Sequence, residues 1–320
     1  MMKNKMIMWI CLLSLLLATV LWYRIDFIKA FAQLREHITI MLALEIIFFT
    51  VLHFGNEPLR WWVIMRKRQD APSLISLYHT ASATALISYI FPARLGLPTR
   101  LIMAKNILDL DYIIASAVLI IDSCLLYGTW FLVGTAGGGL FMPEWNVKKP
   151  VILVIVIMVI VALLFVLVRL SQKDSHRFPW LSKYIGRFIS VLNKVSVYVI
   201  VINVTLLLID IYIYGVRHFL ILSALGVECS LLKVISMVAI SVFAGFISLM
   251  PLGLGGYDLS LALLLTIVGV PREAAIATPL INRISMISVG LVLGSISYSR
   301  LGITWDSLRK IKVNNTKDLP

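Results

Sequence analysis

The sequence predicts an all-α polytopic membrane protein made of two inverted-topology repeats, with about six full spans and two re-entrant helical hairpins. Three observations lead there. The chain is 60% hydrophobic and only 14% charged, with a mean hydropathy of +0.95, which suits a bilayer rather than water. A Pro/Gly-broken stretch follows an apolar run twice, about half the chain apart: Phe91-Pro92-Ala93-Arg94-Leu95-Gly96-Leu97-Pro98-Thr99-Arg100 and Met250-Pro251-Leu252-Gly253-Leu254-Gly255-Gly256-Tyr257-Asp258. Finally, Lys and Arg cluster in the segments between apolar runs.

The elements follow in order. Met6 to Tyr23 has a basic start at Lys3 and Lys5 and reads as an uncleaved first helix. The signal-peptide alternative fits less well, because Arg24, Asp26 and Lys29 separate Ala30-Phe31-Ala32 from the apolar core. Apolar runs continue at Ile38 to Gly55, Leu74 to Phe91, Tyr112 to Val133, Val151 to Val168, Val197 to Val216, Leu231 to Met250, Leu259 to Val270 and Ile276 to Tyr298. Leu101 to Leu110 and Leu259 to Val270 fall short of the roughly 20 residues a crossing needs. Each is therefore read as the second arm of a hairpin whose tip is the broken stretch, since Pro lacks the N–H and Gly adds backbone entropy.

Charge orients these pieces. One basic loop holds Arg60, Arg66, Lys67 and Arg68; a second holds Arg169, Lys173, Arg177, Lys183, Arg187 and Lys194. The tail adds Arg300, Arg309, Lys310, Lys312 and Lys317. All three are expected on the cytoplasmic side, with both termini, while Gly137 to Lys149 and Arg217 to Ser230 face outward. Arg24, Lys29 and Arg35 run against the rule in the first external loop. The single transmembrane domain, 1–320, then divides into a first repeat at about 1–137 and a second at about 150–300. Between them, 178–194 has the helical spacing of an amphipathic cytoplasmic linker, and 301–320 is a polar tail.

Composition excludes several classes. The net charge of +13 is explained by positive-inside topology and anionic headgroups, not by nucleic acid. Three cysteines lie far apart, and five histidines show no metal-ligand spacing, so no metal or other cofactor is expected. No Gly-x-Ser-x-Gly or Walker sequence is present, which argues against an ATP-driven pump.

The candidate site residues are the charges at membrane depth. An arginine there costs at least about 2.5–3.5 kcal/mol on insertion scales and needs a partner or a ligand. Arg94 and Arg100 offer guanidinium forks that match phosphate oxygens. The helix starting near Gly96 would add backbone N–H groups. Arg283 sits in the last apolar run beside Asn282, and Asp258 follows the second break, so an Arg283–Asp258 or Arg94–Asp258 pair is expected. Gly253 and Gly255, at the second break, are expected substrate-binding positions. Glu45, Asp122 and Asp210 are further intramembrane acids, with internal pairing or proton coupling as their roles. Glu57, Arg60 and Trp61-Trp62 read as an interfacial anchor, with headgroup selection by Arg60 as the less favoured reading.

With Arg60-Trp61-Trp62, Pro92-Ala93-Arg94-Leu95-Gly96 with Arg100, Pro251-Leu252-Gly253-Leu254-Gly255, and Asn282-Arg283 before Gly290, the chain resembles the lysylphosphatidylglycerol-synthase transmembrane family, also called flippase-like integral membrane proteins. The resemblance spans nearly the whole chain. It implies a lipid-translocating membrane unit; some stand-alone members are linked to polyprenyl-phosphate glycan pathways. This chain has Leu97 and Asp258 where the family usually has Glu. The soluble aminoacyl-transferase domain of the longer members is not expected here, nor is its activity.

The reading favoured by these features is a flippase-like transporter of an anionic phospholipid or polyprenyl-phosphate-linked lipid, and not an enzyme. Arg94, Arg100 and Arg283 would hold the phosphate. The alternatives are a membrane-embedded transferase acting on a lipid phosphate and a small-solute secondary carrier. Expected partners are the lipid substrate, membrane lipids, and a second copy of the chain or a separate enzyme of a lipid or glycan pathway.

Overall fold

The computed structural model describes residues 36, 38–67, 71–90, 96–141, 186, 188, 191, 195–247 and 256–302. Among them the chain is helical, with eight helices and no strand: α1 (Ile40–Met65), α2 (Leu74–Ile90), α3 (Gly96–Leu108), α4 (Tyr112–Phe141), α5 (Val197–Ala224), α6 (Leu231–Ile247), α7 (Gly256–Ile267) and α8 (Arg272–Arg300). The expected spans at Met6 to Tyr23 and Val151 to Val168 lie outside the described residues. So does most of 178–194, although Phe188 and Val191 pack into the cluster around Trp61 and Met65.

Helix lengths recur in order. The first four helices have 26, 17, 13 and 30 residues, and the second four have 28, 17, 12 and 29. The longest of each set, α1, α4, α5 and α8, are long and apolar enough to cross a membrane. At about 1.5 Å per residue, α3 and α7 are shorter than a hydrocarbon core of about 30 Å. Each packs on the helix before it, α3 on α2 and α7 on α6. Gly245 makes the second of these contacts possible, because a Cβ there would stand 2.9 Å from that of Tyr257.

Turn chemistry recurs as well. The residue that ends α3, Asp109, has φ 51, and Gly269, which ends α7, has φ 95. The turn after α7 is closed by Gly269 N–H to Thr266 O and Val270 N–H to Leu265 O, the Schellman pattern that a left-handed residue allows.

Neighbour relations are matched between the two sets. α4 packs along α6, and α8 packs along α2. In the first contact Gly134 lets α4 approach until its Cβ position is 3.0 Å from Ile240 N. In the second, His79 Nδ1 lies 3.1 Å from Ser297 Oγ. At the centre, α1 and α5 lie side by side and run in opposite directions. His53 meets Asp210, Asn56 meets Leu206, and Lys67 meets Ser196, so partner numbers fall as α1 advances.

The exterior is apolar and the interior carries the polar groups. Ile40, Met41, Phe48, Val197, Val201 and Val292 are exposed, whereas Arg60, Asp122, Asn203, Asp210, Arg217 and His218 are buried. That inversion suits a lipid surround, where apolar side chains lose nothing by facing out and polar groups must be satisfied inside.

Three sequence expectations change. α1 does not end near Gly55 but continues through Pro58 to Met65. This takes Arg60 out of the basic loop and out of an interfacial anchor: it is 3% exposed, and Trp61 is 4% exposed. Gly137 belongs to α4 and packs on Ser236, so it is not in an external loop. Arg217 is likewise no loop residue; it lies inside α5 with no exposed surface.

Candidate functional site

Membrane-length helices must satisfy their polar side chains across helix faces, and here they do so in one connected band. Its first part is built from α1, α4 and α5. Arg60 Nε donates to Asp122 Oδ1 at 2.8 Å and Nη2 donates to Asp122 Oδ2 at 3.3 Å. Nη1 donates to Asn56 Oδ1 at 2.6 Å, one turn earlier on the same helix. Asn56 in turn donates to the Leu206 carbonyl of α5 at 3.0 Å. Asp122 also accepts from Trp61 Nε1 at 3.4 Å. Asp210 takes the Nδ1 proton of His53 at 2.7 Å and stands 3.7 Å from Arg60 Nη1. A guanidinium this enclosed holds its charge because two carboxylates and an amide surround it.

Two arginine–carboxylate pairs flank this core and are partly open. Arg100 on α3 pairs with Glu57 on α1, and its guanidinium lies over Trp61, 5.5 Å from the ring centroid. Glu57, Trp61, Thr80 and Arg100 line one crevice. Arg283 on α8 forms a bidentate pair with Asp258 on α7, with Nε to Oδ1 at 2.7 Å and Nη2 to Oδ2 at 2.6 Å. Both of its side chains are about one-fifth exposed.

The second part of the band is built from α5, α7 and α8. His218 Nδ1 donates to the Tyr214 carbonyl at 2.7 Å, which leaves Nε2 to accept from Tyr257 Oη, also at 2.7 Å. Asn282 Nδ2 donates to Tyr214 Oη at 3.3 Å. Arg217 lies over the Tyr214 ring at 4.4 Å and donates from Nη1 to Met286 Sδ at 3.0 Å. Tyr214 joins the parts, since its ring centroid is 5.2 Å from that of His53.

Of the residues singled out from sequence, Asp258 and Arg283 form the expected pair. Arg100 is partly exposed at a crevice, and Gly96 is the first residue of α3, the helix start expected to present N–H groups. Asp122 and Asp210 pair internally. Arg60 is enclosed by protein groups and does not reach a headgroup surface. Arg94, Gly253 and Gly255 lie outside the described residues. Sequence reasoning missed Glu57 as the partner of Arg100, and all of Arg217, His218 and Tyr257. The usable signal was an arginine inside an apolar run with helical continuity on both sides.

The sequence profile described as the lysylphosphatidylglycerol synthase TM region matches residues 7–294. The chain belongs to this family. Membership in the lysylphosphatidylglycerol synthase TM family, with the long apolar helices, makes it a multi-pass membrane protein related to membrane lipids. No curated protein and no solved structure gives a significant match. Among the described residues no cluster of His, Cys, Asp or Glu is arranged to hold a metal ion.

Proposed function

We propose that this protein is a flippase-like transporter that moves an anionic phospholipid or a polyprenyl-phosphate-linked lipid between the leaflets of the cytoplasmic membrane, with both termini cytoplasmic. The observation that carries the reading is the pair of partly exposed arginine–carboxylate bridges, Arg100–Glu57 and Arg283–Asp258, on helices that line the polar band of a membrane bundle. A bridge of this kind keeps an arginine neutralised at membrane depth until a phosphate replaces the carboxylate. Arg94, two residues before α3 in sequence, is the third arginine of this reading.

Two inverted repeats support the same reading. Helix lengths recur in order, and α1 and α5 are antiparallel. His53 and Asp210, which meet, stand equally far into α1 and α5. The α4–α6 contact at Gly137 and Ser236 has its counterpart in the α8–α2 contact at Ser297 and His79, at the same depths in the corresponding helices. Such a relation implies a two-fold axis in the membrane plane through the α1–α5 contact, with α2–α3 and α6–α7 as re-entrant hairpins from opposite sides. A site on such an axis can be opened to either leaflet by similar motions.

A transferase would need a free carboxylate as base. Three of the four intramembrane acids are engaged, Asp122 with Arg60, Asp210 with His53 and Asp258 with Arg283, with Glu45 the fourth, and this favours transport over catalysis. The test is reconstitution in liposomes with fluorescent anionic and zwitterionic lipids, following loss of the inner-leaflet label's protection from an impermeant quencher. Protein-dependent movement of the anionic lipid, lost in Arg283→Ala, is expected. No movement above protein-free liposomes for any lipid would refute the reading.

A further inference from the structure

Arg60 and Arg217 stand equally far into α1 and α5, and Asp122 and Asn282 equally far into α4 and α8. The first arginine is neutralised by Asp122; the matching place on α8 carries an amide, Asn282, which shares Tyr214 with Arg217 as a neighbour. Arg217 is 0% exposed and touches Tyr214 and Met286, and its Nε and Nη2 have no hydrogen-bond partner among the described residues. Asn282 is 2% exposed, and its Oδ1 is likewise without a donor. A guanidinium stays charged at any accessible pH, so this interior cation lacks its anion. We propose that Arg217 and Asn282 form a binding site for a protonated phosphoryl group, a phosphate monoester or hydrogen phosphate.

The chemistry is specific. Nε and Nη2 form one edge of the guanidinium, the fork that takes two oxygens of a single anion. Asn282 Oδ1 can only accept, so a ligand that also brings a hydrogen would satisfy it. A P–O–H group does so, whereas sulfate and a phosphodiester carry no hydrogen on an oxygen of the charged group. His218 cannot supply it, because its Nδ1 proton is held by the Tyr214 carbonyl. The partly exposed Arg283–Asp258 bridge adjoins this cluster in sequence, since Asp258 follows Tyr257 and Arg283 follows Asn282. The site is distinct from the three guanidiniums assigned to the transported lipid, and binding is read at equilibrium, so its failure does not bear on lipid movement.

The experiment measures the melting temperature of the full-length protein in uncharged detergent. The probes are sodium phosphate, sodium sulfate at matched ionic strength, and mixed micelles carrying phosphatidic acid or phosphatidylglycerol. A melting temperature that climbs with phosphate or with phosphatidic acid supports the site; a response to phosphate marks a free anion, and a response to phosphatidic acid alone marks a lipid headgroup. Asn282→Asp supplies the missing carboxylate. It should raise the melting temperature without ligand and weaken the phosphoryl response by about tenfold to a hundredfold. Arg217→Leu should fold and lose the response, since an apolar side chain replaces an unneutralised charge. The proposal is overturned by no response to either phosphoryl probe, by an equal response to sulfate, by a phosphoryl response that Arg217→Leu retains in full, or by an Asn282→Asp protein that responds as the wild type does.

Discussion

Asp258→Asn and Asp122→Asn remove the same charge from two arginine pairs, and the structure assigns them different consequences for ligand binding. The Arg60–Asp122 side chains are 4% and 5% exposed, and removing one partner of a pair so enclosed strands the other, at a cost of about 3–5 kcal/mol. The Arg283–Asp258 side chains are 19% and 20% exposed, so water reaches the arginine that is left. Its loss should fall between the buried figure and the roughly 0–1 kcal/mol of a surface pair, at about 2 kcal/mol. Reversible unfolding in mixed micelles with rising SDS fraction, followed by tryptophan fluorescence, would measure both. Anionic-lipid binding should separate them further. Freed from Asp258, Arg283 no longer exchanges one anion for another, and affinity should rise about tenfold, the worth of one charge-assisted hydrogen bond. Asp122→Asn should leave affinity unchanged in the folded fraction. Equal stability losses, or weaker binding in Asp258→Asn, would refute the view that this carboxylate holds the place of a phosphate.

Other outcomes follow from the same geometry. Arg94→Ala should weaken anionic-lipid binding by about tenfold to a hundredfold, and Arg94→Lys should recover part of it, because an ammonium keeps the charge without the fork; equal binding by titration in all three proteins would remove Arg94 as a ligand. Gly134→Val forces a side chain toward the Ile240 backbone and should destabilise by about 1–3 kcal/mol, read in the same SDS unfolding assay. With native cysteines replaced, Glu228→Cys in the α5–α6 turn should react with an impermeant maleimide on intact cells, and Lys67→Cys should react only after lysis; the reverse pattern would invert the proposed orientation.

Much of this architecture could be read before any coordinates. Proline and glycine mark helix ends by removing a donor or adding backbone freedom, so α3 and α7 start near the expected breaks. Asp258 and Arg283 formed one of two pairs expected, the other being Arg94 with Asp258, because each is a charge at membrane depth that needs a partner. Arg60 was misplaced for a related reason. A basic residue beside Pro58 and two tryptophans looks like a helix end at a headgroup, but a helix loses one hydrogen bond at proline and continues when packing repays it. What secures Arg60 is Asp122, which is 62 positions away and cannot be found by local pattern. Arg217 was hidden by the same logic, because charge counting treats an arginine near a helix end as loop unless the helix is known to continue.

The crossing of α1 and α5 bears on how such a chain could arise. A half-length ancestor assembling as an antiparallel dimer would bring one position face to face with its own copy, since an isologous contact is self-complementary by construction. Whatever residue stood there would have met itself: acid against acid or imidazole against imidazole. Under the proposed repeat, two copies joined in a single chain can diverge, and that position would carry His53 on one side and Asp210 on the other, which stand 2.7 Å apart. A contact of base with acid at the axis is closed to two identical halves, and it would give the joined halves a reason not to come apart again.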